Sequence, residues 1–79
     1  MKKTEWALET WRMKSGIPCK RTRKYADREQ AAKAFNAFQL STINCMACVY
    51  SVTTWAEYPN GRMHTKQGAT ICYKDSQRQ

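Results

Sequence analysis

The sequence predicts an α+β fold of order ββαββ, a single antiparallel sheet with one helix packed on one face. Three observations lead there. A Lys14-Ser15-Gly16 break separates two short alternating stretches, a capping pair opens an alanine- and phenylalanine-striped run at Asp27, and Asn60-Gly61 sits midway between two longer stretches. Two hairpins joined through one helix can bury the helix stripe only against a shared sheet.

The first hairpin is expected to join strands over 5–13 and 17–25, with Gly16 in the left-handed position of a three-residue loop. In that register Met13 faces Ile17, Trp11 faces Cys19 and Glu9 faces Arg21. A two-residue loop would set Glu9 against Thr22 and Trp11 against Lys20, pairing less well matched in polarity and charge.

The helix is expected over about 28–40. Asp27 suits the N-cap, Gln30 stands where a capping box wants it, and Glu29 lies near the positive end of the helix dipole. Ala31, Ala34, Phe35 and Phe38 then recur on one stripe, with Arg28, Lys33 and Asn36 turned away. Ser41 to Asn44 forms a polar exit.

Asn60-Gly61 is the preferred centre of a type I′ turn. Counting outward pairs Tyr58 with Met63, Val52 with Ala69, Tyr50 with Ile71 and Cys48 with Tyr73, an apolar face read as core. The other face carries Glu57 with His64, Trp55 with Lys66, Ser51 with Thr70 and Val49 with Cys72, read as facing solvent or a ligand. The whole chain, 1–79, is one small basic domain, with 1–4 and 75–79 expected to fray.

At 79 residues the core is modest, a size at which a single core supplies about 3–5 kcal/mol, and a large catalytic cleft is not expected. Fourteen Lys and Arg against six Asp and Glu leave a net charge of +8, so the partner should be anionic. Glu5, Glu9 and Arg12 interrupt any export segment near the N-terminus, and no apolar run approaches the roughly 18 residues of a membrane span. A cytoplasmic protein with no membrane partner and reduced cysteines is the expectation.

Cys45-Met46-Ala47-Cys48 is a CxxC without a second ligand pair, and on a strand its two thiols point to opposite faces. No metal and no cofactor are expected. The one histidine, His64, has no nucleophile placed beside it by any motif, and the six acids form no catalytic pair. The chain is read as a binding protein, not an enzyme.

The basic segment carries the functional reading. No acid lies between Thr10 and Ala26, while Arg12, Lys14, Lys20, Arg21, Arg23 and Lys24 gather six of the fourteen cations on one hairpin. On a strand Arg21 and Arg23 share one face, Lys20 and Lys24 the other. Trp55 and Lys66, with Lys74, are expected to extend this surface from the second hairpin, and Trp6 and Trp11 to serve as interface anchors. A strand edge guarded against aggregation by cations is the plain alternative.

The stretches "ALETWRMKSGIPCKRTRKY", "DREQAAKAF" and "CVYSVTTWAEYPNGRMHTKQGATICYK" give a hairpin, a helix and a hairpin in a very short basic chain. In architecture and size this resembles small phage-encoded anti-CRISPR proteins. The resemblance implies a stoichiometric inhibitor acting in the host cytoplasm on a host nucleoprotein machine such as a CRISPR surveillance complex. The alternative is a direct nucleic-acid-binding protein without sequence specificity.

Overall fold

The computed structural model describes residues 2–76. Its elements follow the expected order: β1 (Lys2–Lys14), β2 (Ile17–Tyr25), α1 (Arg28–Ala37), β3 (Asn44–Ala56) and β4 (Met63–Asp75). All four strands join one antiparallel sheet in the order β2-β1-β3-β4, so β1 and β3 are central and β2 and β4 are edges. Lys2–Thr4 pair with Thr53–Trp55, and β4 runs through Asp75. Met1 and 77–79 lie outside the described residues.

The first hairpin turns through two residues, not three. Lys14 faces Ile17, Trp11 faces Lys20 and Glu9 faces Thr22, the register that charge matching had disfavoured. Backbone geometry decides it: Ser15 and Gly16 both take positive φ, 53° and 79°, as a type I′ turn requires, and this turn matches the twist of the flanking strands.

In the second hairpin the expected register holds far from the turn, where Cys48 faces Tyr73 and Val49 faces Cys72. Two irregularities flanking Tyr50 then shift it by two residues, so that Val52 faces Gln67 and Trp55 faces His64. The loop over 57–62 closes with Glu57 N–H donating to the Arg62 carbonyl and Gly61 N–H to the Glu57 carbonyl, both at 2.7 Å. Gly61 alone has positive φ there, 74°, and Tyr58-Pro59 is cis, so the turn is not the type I′ turn that Asn60-Gly61 suggested. The shift has a steric counterpart at Gly68, where a Cβ would lie 2.2 Å from Ser51 Oγ.

Asp27 caps α1, its Oδ1 accepting from Glu29 N–H at 3.0 Å, so the capping bond goes to Glu29 and not to Gln30. The helix stops at Ala37, short of 40, because Phe38 turns extended (φ −74°, ψ 116°). Lys74 Nζ reaches in from β4 and donates to the carbonyls of Phe35, at 2.7 Å, and Phe38. The Phe35 carbonyl also accepts from Phe38 N–H at 3.2 Å, and the ammonium adds a charged donor that complements the negative end of the helix. Ser41 Oγ then accepts from Ile43 N–H and Asn44 N–H and shapes the exit.

Two buried clusters result. Leu8, Ala47 and Val49 meet Ala31 of α1, with Trp6, Tyr25, Ala34, Phe35, Phe38 and Cys72 packed around them. Ala7, Cys48, Tyr50 and Val52 form the second cluster, against Met46. Adjacent strand residues such as Ala7 and Leu8 point to opposite faces. Val49 and Cys72, read from sequence as facing solvent or a ligand, are thus the helix's own packing partners. Tyr58, Met63 and Tyr73, read as core, are 93%, 63% and 51% exposed. Cys48, Tyr50 and Val52 of the face read as core are buried as expected, but in the cluster without Ala31, whereas Val49 of the other face is buried beside Ala31.

Candidate functional site

Strand β2 is an edge on which every residue from Ile17 to Lys24 is exposed. In the observed register Arg21 and Arg23 stand opposite Thr10 and Leu8, while Lys20, Thr22 and Lys24 stand opposite Trp11, Glu9 and Ala7. Leu8 belongs to the helix's cluster and Ala7 to the other, so the arginines lie on the α1 side and the lysines across the sheet from them.

On the α1 side Arg12, Arg21 and Arg23 line a concavity of about 360 Å³. Leu8 and Thr10 of β1, Tyr25 of β2, Ala34 and Ala37 of α1, and Phe38 just beyond the helix complete its walls. A second concavity of about 380 Å³ near the hairpin turn shares Arg12 and Arg21 and adds Met13, Lys14, Cys19 and Lys20. Thr10 is buried, its hydroxyl donating to the Arg21 carbonyl at 3.4 Å, which ties the edge strand to β1 beneath the arginines. Among the described residues no carboxylate lines either concavity. The ion pairs among the described residues are Lys3 with Glu5 and His64 with Glu57, and none involves these arginines.

The other expected site residues are distributed differently. Lys20 Nζ lies 5.9 Å from the centre of the Trp11 ring, and Trp11 Nε1 donates to Glu9 Oε2 at 2.9 Å. Glu9 also accepts from Tyr50 Oη at 3.2 Å, so the carboxylate expected to pair with Arg21 faces the opposite side of the sheet and serves two ring donors. Burial pushes the Tyr50 hydroxyl up from its ordinary value, helped by the hydrogen bond to Glu9 and its charge; burial and the same carboxylate push the Cys48 thiol up. Trp6 is half-buried beneath Arg28, 5.8 Å from ring centre to guanidinium, so neither tryptophan of β1 is a free anchor.

Trp55 and Lys66 do not join the arginines. Arg12 pairs with Asn44 at one end of β3 and Lys2 with Trp55 at the other, a separation of roughly 36 Å at about 3.3 Å per residue. Trp55 stacks on His64 (5.5 Å, 23°), whose Nε2 meets Glu57 Oε1 at 3.0 Å, and Lys66 faces Thr53. Lys74 is committed to the helix end. Cys45 and Cys48 lie on β3, with Cys45 Sγ donating to the Trp11 carbonyl at 3.3 Å and Cys48 buried in the other direction. Among the described residues no group of three or more His, Cys, Asp or Glu side chains is placed to hold a metal ion, and the four cysteines are free thiols.

Thr10, Tyr25, Ala37 and Phe38 belong to the groove although the sequence did not single them out for it. Tyr25 carried a signal, since it continues the alternation of Arg21 and Arg23. No helix is long and apolar enough to cross a membrane among the described residues. Comparison with protein-family models, curated proteins and solved structures gives no significant match.

Proposed function

We propose that this chain is a non-enzymatic binding protein that engages an anionic partner through the first hairpin, and that it acts as a cytoplasmic inhibitor of a host nucleoprotein defence complex of the kind its architecture resembles. The observation that carries the reading is the convergence of Arg12, Arg21 and Arg23 on one concavity without a carboxylate. Like charges held together cost free energy, and an anion relieves that cost on binding; guanidinium forks suit phosphate and carboxylate alike. In this reading α1 covers one face of the sheet and leaves β2 free as the contact edge. Trp55 and Lys66 lie outside the contact surface.

Affinity capture from host lysate, with and without nuclease, tests it. A discrete complex retained after nuclease and lost from the Arg21→Glu/Arg23→Glu variant is the expected result. Partners that disappear with nuclease favour direct nucleic-acid binding. Capture that ignores the two substitutions sinks the assignment of the surface.

A further inference from the structure

The two concavities on the first hairpin share Arg12 and Arg21 as lining, and read together as one channel they run from Tyr25 toward the turn at Lys14. It spans six strand positions, from the Leu8–Arg23 pair to the Lys14–Ile17 pair, or roughly 20 Å. Arg12, Lys14, Arg21 and Arg23 line it, while Lys20 borders only the part near the turn and lies over Trp11. A channel of that length with spaced cations suits a polymeric anion better than one isolated phosphate.

The floor narrows the chemistry. Phe38 and Tyr25 are half-buried, packed against the Leu8–Val49 cluster, and line the groove together with the small Ala34 and Ala37. An acidic peptide side chain has no flat body to lay on such a floor, and a duplex keeps its bases stacked inside. An unpaired nucleotide offers both a phosphate for a guanidinium fork and a π-face for a ring.

We infer that this channel binds a segment of single-stranded nucleic acid, with backbone phosphates on Arg12, Arg21 and Arg23 and a base against Phe38 or Tyr25. The inference rests on the reading of the first hairpin as the contact surface and assigns the chemistry of what it contacts. Association is electrostatic first: charge on β2 gathers the backbone, and the ring floor selects unpaired over paired strands. Each phosphate neutralised contributes about −0.7 to the slope of log affinity against log salt for a single strand.

The test is a titration of the full chain with a fluorescent oligothymidylate, a duplex of matched length and an oligoglutamate peptide, between about 50 and 200 mM salt. With three phosphates contacted, oligothymidylate affinity should fall roughly 20-fold across that range, against about threefold for Arg21→Ala/Arg23→Ala. Phe38→Leu keeps an apolar side chain while removing the ring, and should weaken the single strand about tenfold with little effect on the duplex. Circular dichroism of each variant shows that the fold is kept; should Phe38→Leu unfold, Tyr25→Leu takes its place. Equal affinity for duplex and single strand, with no effect of either ring substitution, overturns the inference, as does tighter binding of oligoglutamate. If no oligonucleotide binds while capture of the host complex still depends on Arg21 and Arg23, the inference fails and the functional reading stands. If capture is indifferent to them, the functional reading fails with it.

Discussion

Lys74 of β4 closes the C-terminal end of α1: its Nζ donates to the Phe35 carbonyl at 2.7 Å while lying 4.6 Å from the centre of the Phe35 ring. The helix has no basic residue in its own last turn, so an edge strand supplies the cation from 36 to 39 positions away in sequence. Hydrogen bonds from a charged donor contribute about 1.5–3 kcal/mol. Lys74→Met, which keeps an unbranched stem, should lower the melting temperature by roughly 4–8 °C for each kcal/mol lost. A variant that melts with the parent would show that solvent satisfies those carbonyls equally well.

Ser15 adopts a left-handed backbone, at φ 53°, that costs an ordinary L-residue about 1–2 kcal/mol. Asparagine tolerates it better, so Ser15→Asn should stabilise the protein by about 0.5 kcal/mol and Ser15→Val should destabilise it by more. Chemical denaturation of the three chains orders them; a more stable valine variant contradicts the two-residue turn.

A Cβ at Gly68 would collide with Ser51 Oγ where it now lies, so a side chain there requires Ser51 to leave its present rotamer. Gly68→Ala should cost about 1–3 kcal/mol through overpacking. Adding Ser51→Ala should recover most of it, because Ser51 Cβ lies 3.6 Å away, an ordinary contact. A double-mutant cycle measures the coupling, expected near 1 kcal/mol. Additive effects would mean that Ser51 simply rotates aside.

Tyr50 and Cys48 both hold their protons more tightly in the folded state than in the unfolded chain, first through burial and then through Glu9. The stability they contribute is therefore fully present below their ordinary values, about 10 and 8.5, and is lost as pH rises through the folded values. Alkaline titration followed by tyrosinate absorbance, with Tyr50→Phe to identify its signal, should show Tyr50 ionising above its ordinary value. Glu9→Gln should bring that midpoint down part of the way, leaving the portion due to burial. An unchanged midpoint would remove Glu9 from the account.

Arg21→Glu/Arg23→Glu should leave the fold intact. Arg21 faces Thr10, and Glu9 points away across the sheet, so the new glutamate meets no like charge there. Exposed substitutions of this kind typically change stability by about 0.5 kcal/mol. A melting temperature more than about 8 °C below the parent would assign the arginines a structural part.

The strength of each sequence signal tracks how local its cause is. The Asp27 cap and the stripe of Ala31, Ala34, Phe35 and Phe38 depend on residues within a few positions and were read directly. Register was legible only in part: the Ser15-Gly16 turn follows from backbone conformation, which outweighed the charge pairing that favoured a longer loop. The irregularities beside Tyr50 depend on how β3 and β4 fit side by side, which no local pattern encodes. For the same reason the arginines were visible as a cluster, but their concavity was not. It exists because the helix ends near Phe38, at a point set partly by Lys74.

The sheet's length has a consequence for how the molecule opens. At 49 × 26 × 17 Å its radius of gyration is 14.9 Å, against about 12 Å for a compact domain of this size. The most deeply buried residues, Ala7, Ala31, Ala47 and Val49, are concentrated in the middle, whereas the tip at Tyr58 is almost fully solvated. Amide exchange should therefore be graded along β3, slowest near Val49 and fastest toward Ala56, with the β3–β4 tip opening and reclosing while the centre stays shut. The arginine channel lies on the other side of that centre, so opening of the tip need not disturb it.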